Sequence, residues 1–131
     1  MTRIYTFYIW LVGVTVASLL PSSSLDVGFT VPLGADKGIH SLMYMILMWL
    51  APSALRRANH SPNYRTLLGV AACIVLYSLL LEVLQPLISA RTFEWADILA
   101  NTAGVLGGLL LWHRRLTPLT ITSATAQKPH K

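Results

Sequence analysis

Charged residues are scarce in this chain of 131 residues, where they make up 11% of the sequence and only five of them are acidic. Soluble domains typically carry about 25% charged residues, so this scarcity excludes an ordinary soluble enzyme. Cysteine is nearly absent as well, because Cys73 is the only one. A single cysteine cannot form an internal disulfide. Free cysteine usually packs in protein cores, so we expect Cys73 to be buried.

Apolar residues make up 54% of the chain and are concentrated in four stretches. A helix needs about 20 apolar residues to cross the roughly 30 Å hydrocarbon core of a bilayer, and each stretch approaches or reaches that length. The sequence therefore predicts an all-α fold, an integral membrane four-helix bundle. We expect the helices over residues 4–20, 38–55, 66–85 and 93–112. The third helix should end at Pro86, because proline lacks a backbone donor.

The predicted helices belong to a single domain. The length of the chain suits one domain, and we assign residues 1–116 to it. Residues 117–131 mix Thr, Ser, Lys and Pro, a composition that cannot bury enough apolar area to fold alone, so we expect a disordered cytoplasmic tail. The first apolar stretch also resembles a secretory signal. It is longer than the roughly 7–15 residues of a signal-peptide core, so we expect it to be retained.

The distribution of charge predicts the orientation of the bundle. The net charge is +5, and all but two of the ten basic residues, Lys37 and Arg91, lie near the termini or between the second and third helices. The positive-inside rule therefore places both termini in the cytoplasm. All five acidic residues then fall toward the outward side. Because the basic residues form short clusters between uncharged stretches, we expect the partner to be the lipid bilayer and expect no nucleic acid.

Polar side chains recur three or four residues apart near the outward ends of three predicted helices. They are Asp36, His40 and Tyr44 in the second helix, Glu82 and Gln85 in the third, and Asp97 and Asn101 in the fourth. Residues at this spacing share one helix face, and polar groups in a membrane avoid lipid. We therefore expect a shared polar pocket near the outward surface. The charged neighbours Lys37, Arg91 and Glu94 complete this candidate polar site.

Small residues follow the same face of the fourth helix. Ala100, Gly104 and Gly108 are spaced four apart, a pattern that lets a neighbouring helix approach closely in membranes. We expect these three residues to serve helix packing.

Several candidate residues have two readings. Asp36 could simply cap the second helix, where a carboxylate accepts from free backbone donors. His40 could be a satisfied core histidine, or its pairing with Asp36 could begin a proton relay or a metal site. Glu82 lies inside the membrane boundary, and an acid in that position is a functional-site hypothesis by default.

The acids of the candidate site exceed its cations by two, with Asp36, Glu82, Glu94 and Asp97 set against Lys37 and Arg91. Such a site could hold a divalent cation through oxygen ligands, with a phosphate or pyrophosphate bridged to it. The alternative is an internally paired network with protonated members. The sequence lacks paired histidines or cysteines at zinc spacing, so it assigns no metal ligand. Because it also lacks a nucleophile elbow, it leaves open whether the chain is an enzyme.

Three blocks of the sequence resemble a known family. They are Asp36-Lys37-x-x-His40-x-x-x-Tyr44, Glu82-x-x-Gln85 and Arg91-x-x-Glu94-x-x-Asp97-x-x-Ala100-Asn101-x-x-Gly104. In order and spacing they resemble the VanZ-like family of small bacterial membrane proteins, although Ser41 stands where that family usually has an aromatic residue. The resemblance implies a location in the bacterial cytoplasmic (inner) membrane. The founding member is associated with low-level teicoplanin resistance, which implies a cell-envelope context and a link to antibiotic resistance.

These observations favour one function and leave two rivals. The preferred hypothesis is that the outward polar cluster binds or modifies a lipid-linked or cell-wall-related envelope component. A small transporter could instead use Glu82 as a proton-coupled carboxylate, and its four short helices would then need to form an oligomer. An accessory or assembly subunit of an envelope complex would use the cluster only to hold its helices together.

Overall fold

The computed structural model describes residues 2–20, 35–55, 62–89 and 91–116. These residues form four helices and contain no strand, which confirms the predicted all-α fold. The helices are α1 (Thr2–Leu19), α2 (Ala35–Leu55), α3 (Tyr64–Ile88) and α4 (Trp95–Leu116). The predicted tail, residues 117–131, lies outside the described residues, as do Asp26 and the loop arginines Arg56 and Arg57.

Three helices are long and apolar enough to cross a membrane, namely α2, α3 and the Trp95–Arg114 part of α4. The 25 residues of α3 give it a length of about 37 Å, more than the roughly 30 Å of a hydrocarbon core. The apolar part of α1, Ile4–Leu19, is shorter. Large apolar side chains such as Leu76, Leu87 and Leu99 lie exposed on the outside of the bundle. The protein is therefore a membrane protein whose exterior suits a lipid bilayer.

The predicted end of α3 is wrong, because the helix continues through Pro86 to Ile88. The Pro86 ring lies on the exposed side of the helix, and its missing N–H removes only the bond that would reach the carbonyl of Glu82. The end of the helix is closed at Ser89. The Ser89 backbone N–H and hydroxyl both donate to the carbonyl oxygen of Gln85, at 2.9 and 3.0 Å.

Other helix ends differ from expectation by a few residues. Helix α4 begins at Trp95 and runs to Leu116, past the predicted stop at residue 112. Basic residues such as Arg114 are favourable there, because they complement the negative end of the helix dipole. Helix α2 begins at Ala35, which places Asp36 within its first turn rather than at the cap.

Helices α2 and α4 run parallel and form the closest pair of the bundle. A Cβ atom built on Gly104 would overlap the backbone carbonyl of Ser41, and one built on Gly108 would lie 2.5 Å from the carbonyl oxygen of Met45. Only glycine allows this backbone approach. Helix α1 packs on α2 and α3, but among the described residues it does not contact α4.

The helices alternate in direction, so their ends form two groups. At one end, the rings of Tyr64 at the start of α3 and His113 near the end of α4 have centroids 6.3 Å apart. At the other end, Lys37 of α2 lies beside Asp97 of α4. This second group, formed by the starts of α2 and α4 and the ends of α1 and α3, is called the polar end below.

The expectation that Cys73 packs in the core is wrong, because its side chain is exposed on α3. The outside of a membrane helix faces hydrocarbon, which accepts a small apolar thiol as readily as a protein core does.

Candidate functional site

Three ionisable side chains from three different helices meet at the polar end. They are His40 of α2, Glu82 of α3 and Asp97 of α4, and one ligand atom from each lies within 4.8 Å of the others. Glu82 is 2% exposed and Asp97 is 3% exposed. We call these three residues the three-helix cluster. Part of this convergence comes from the glycine contacts between α2 and α4. They bring the backbone of α2, which carries His40, close to the backbone of α4, which carries Asp97.

Lys37 links the start of α2 to the start of α4. Its ammonium group donates to Glu94 Oε2 at 2.8 Å and to Asp97 Oδ1 at 3.0 Å. Asp36 Oδ2 lies 3.6 Å from the same nitrogen, but half of the Asp36 side chain is exposed. Glu94 is equally exposed. Lys37 therefore compensates one buried carboxylate, and Asp36 and Glu94 lie at the rim of the site rather than inside it.

Glu82 has one partnered and one unpartnered oxygen. Gln85, one turn further along α3, donates from Nε2 to Glu82 Oε1 at 3.2 Å. Within the described part of the chain, Glu82 Oε2 has no hydrogen-bond partner, and the same holds for Gln85 Oε1 and Asn101 Oδ1. Both amide side chains are almost fully buried. Leaving a buried polar atom unsatisfied costs about 1–3 kcal/mol. These three oxygens are therefore positioned to accept a hydrogen bond or to bind a cation.

His40 and Asp97 approach each other without a hydrogen bond. His40 Nδ1 lies 3.9 Å from Asp97 Oδ2, beyond hydrogen-bonding distance, and Nδ1 is unpartnered among the described side chains. His40 is therefore not held in the core by a hydrogen bond at this nitrogen.

Arg91 precedes α4 and is half-buried. It is close enough to act electrostatically on both His40 and Glu82. It forms no ion pair with a carboxylate in the described ranges. Guanidinium groups recognise phosphate and carboxylate groups in a bidentate manner.

Tyr44 is buried, and its side chain lies near that of Ser18 in α1. A second contact joins α1 to α3, where the hydroxyls of Thr15 and Tyr77 share a hydrogen bond. The sequence reasoning missed Thr15 and Ser18. Their spacing of three, which puts both hydroxyls on one face of α1, is the signal that could have indicated them.

Of the small residues predicted to serve packing, Gly104 and Gly108 lie against the backbone of α2. Ala100 is partly buried. Ser78, a serine one turn before Glu82, is fully buried and donates to the carbonyl of Val75 at 3.0 Å.

The three-helix cluster combines an imidazole with two carboxylates, a set that can bind a cation or exchange protons. Arg91 adds a group that can bind an anion. The cluster and Arg91 together could therefore take up a ligand that has both an anionic group and an associated cation.

Comparison with known proteins identifies one family. The sequence profile of the VanZ/LLP1 family matches residues 4–117, which include all four helices. No curated protein and no solved structure matches the chain. Since the profile spans most of the sequence and includes every residue of the three-helix cluster, the chain belongs to the VanZ/LLP1 family.

Proposed function

We propose that the polar end binds the headgroup of a membrane-resident envelope lipid, one that carries a terminal phosphate or pyrophosphate. The observation that carries this proposal is Arg91, a half-buried arginine with no carboxylate partner among the described residues, whose charge acts on Glu82. The buried, unpartnered oxygens of Glu82, Gln85 and Asn101 can bind a cation that accompanies the anion. They lie at the end of a bundle whose sides are apolar. A lipid whose tail follows the outside of the bundle could bring its headgroup to them.

The charges at the polar end favour a phosphate over a neutral headgroup. Arg91 has no carboxylate partner among the residues described, and its charge acts on Glu82. A phosphate bound there would meet this guanidinium group on one side. The negative cluster on the other side would require a cation between the carboxylates and the phosphate.

The membrane and its sidedness form part of the same proposal. Basic residues are concentrated away from the polar end, so the positive-inside rule supports an outward orientation in the bacterial inner membrane. An envelope lipid displayed on the outward surface would be the substrate of cell-wall assembly, and a link to glycopeptide resistance would follow from altering its availability. The geometry favours neither the transporter nor the accessory subunit.

A competition experiment tests the proposal. The full chain is reconstituted in phosphatidylcholine nanodiscs containing equal small amounts of a polyprenyl phosphate and phosphatidylglycerol, and the lipid retained after a detergent wash is measured by mass spectrometry. We expect the protein to retain the polyprenyl phosphate at least about tenfold better, equivalent to about 1.4 kcal/mol.

Arg91→Gln should lose this preference, because it removes the anion-binding group. Arg65→Gln is the matched control, since Arg65 is an exposed arginine at the opposite end of the bundle. Equal retention of the two lipids by the parent protein, or an unchanged preference in Arg91→Gln, would refute the proposal.

A further inference from the structure

Each residue of the three-helix cluster offers one possible metal-ligand atom, and the three atoms lie within 4.8 Å of one another. His40 Nδ1 and Glu82 Oε2 have no hydrogen-bond partner among the described residues. The two oxygens of Asp97 have different neighbours. Oδ1 accepts a hydrogen bond from Lys37, whereas Oδ2 lies 3.9 Å from His40 Nδ1. Unpartnered atoms on His40 and Glu82 therefore lie beside the buried Asp97 carboxylate, in a group of three side chains that could hold a metal ion.

We infer that His40, Glu82 and Asp97 bind one divalent transition-metal ion, for which Zn²⁺ is the best match. One imidazole nitrogen and two carboxylate oxygens are ordinary zinc ligands, with bonds of about 2.0–2.2 Å. Tetrahedral geometry at that length puts ligand atoms about 3.3 Å apart, so each atom would move about 1 Å toward the centre. Mg²⁺ matches less well, because it prefers oxygen ligands and keeps several waters.

The charge at the polar end supports a divalent ion. Asp36 and Glu94 are half-exposed and compensated by solvent, so Glu82 and Asp97 are the two buried carboxylates of the polar end. Lys37 reaches Asp97 but not Glu82 among its ion-pair partners. Burying an ionised carboxylate without a partner is costly. A divalent ion bound to both Glu82 and Asp97 removes that cost.

The groups around the three ligands are those expected of a metal site. Metal ligands are commonly oriented by hydrogen bonds to their other atoms. Here Gln85 donates to the second oxygen of Glu82, and Lys37 donates to the second oxygen of Asp97. In both cases the other carboxylate oxygen, Glu82 Oε2 or Asp97 Oδ2, is left for the metal ion.

Three protein ligands leave the fourth position of a tetrahedral zinc ion open. That position could accept a phosphate oxygen, a connection that rests on the proposed function. The metal site itself does not depend on it, so the two can be tested separately.

The test uses the full chain in detergent micelles after treatment with a chelator. Zn²⁺ and Mg²⁺ are titrated separately by calorimetry, and the thermal melting of the protein is followed with and without each ion. We expect about one Zn²⁺ per chain, a higher melting temperature with Zn²⁺ than with chelator, and at least about tenfold weaker binding of Mg²⁺.

Three variants and one control identify the site. His40→Gln, Glu82→Gln and Asp97→Asn should each weaken Zn²⁺ binding at least about tenfold. Glu82→Gln removes a buried charge, so in chelator it should melt no lower than the parent protein. His113→Gln changes an exposed histidine at the opposite end of the bundle and should bind Zn²⁺ as the parent does.

Two results would overturn the inference. One is a parent protein whose melting and calorimetry do not respond to Zn²⁺, which requires no variant to fold. The other is undiminished binding in Glu82→Gln and His40→Gln. Retention of polyprenyl phosphate by chelator-treated protein would contradict only the metal site's link to the headgroup. Zn²⁺ binding without lipid preference would contradict only the proposed function.

Discussion

The Lys37 ammonium group lies 3.0 Å from Asp97 Oδ1 and so joins the first turn of α2 to the first turn of α4. Asp97 is buried, whereas the other carboxylates that Lys37 contacts are half-exposed. A buried carboxylate that loses its cation is left uncompensated, and such losses are strongly destabilising.

Lys37→Met should therefore lower the melting temperature of the detergent-solubilised protein more than Asp36→Asn does. Asp36 is the matched control because it contacts the same ammonium group from the solvent side, where ion pairs contribute little. Melting can be followed by circular dichroism at low ionic strength. Equal melting temperatures for the two variants would show that Lys37 does not stabilise Asp97.

The seam between α2 and α4 gives a second prediction. Gly104→Ala would force a methyl group into the backbone of Ser41, and it should cost at least about 2 kcal/mol, in the upper part of the range for overpacked sites. Gly69→Ala is the control, because nothing lies within 4 Å of its added Cβ. It should stay within about 1 kcal/mol of the parent, on the stabilising side. Unfolding free energies in mixed micelles would distinguish these outcomes, and equal values would argue against a close approach at Gly104.

A third prediction concerns the contact between α1 and α3. Thr15→Val removes the hydroxyl that Tyr77 bonds and should cost about 0.5–1.5 kcal/mol, as interhelical hydrogen bonds in membranes do. Thr102→Val serves as the control, since the Thr102 hydroxyl donates to Ile98 within its own helix, at 2.8 Å. Its effect should be near zero. The same micelle unfolding assay applies, and a Thr15→Val protein as stable as Thr102→Val would mean that the bond contributes nothing.

A fourth prediction concerns the orientation of the bundle in the membrane. Glu94 lies directly before α4 and Arg114 lies in its last turn, so the two positions mark opposite ends of the bundle. Each is replaced by cysteine, one at a time, in a Cys73→Ala background. In intact cells a membrane-impermeant maleimide should label Glu94→Cys and leave Arg114→Cys unlabelled until the cells are lysed. The reverse pattern would place the polar end in the cytoplasm and overturn the outward orientation derived from the basic residues.

The length and hydropathy of the apolar segments predicted much of this architecture. Four apolar stretches indicated the four helices, because length and hydropathy alone decide whether a segment can cross a bilayer. The ends were predicted less well. Pro86 was expected to terminate α3, yet a proline whose ring faces outward only removes one backbone bond, and Ser89 closes the helix instead.

The candidate site was predicted at the level of helix faces. Spacing placed Glu82 and Asp97 on stripes, and the structure brings them together with His40. Spacing could not predict which acid receives Lys37, because that depends on the parallel contact between α2 and α4. Spacing also could not show how deeply each side chain is buried. The sequence therefore placed Asp36 in the pocket, although its side chain lies at the rim.

The three-helix cluster takes one residue from each of α2, α3 and α4, so during biogenesis it can form only after the last helix has been inserted. A nascent chain that has inserted only through α3 holds the Glu82 carboxylate in the membrane before Asp97 and Lys37 can be joined. Insertion of the final helix completes the ionic arrangement in one step. A chain that lacks α4 therefore lacks both the Lys37–Asp97 ion pair and the third residue of the cluster.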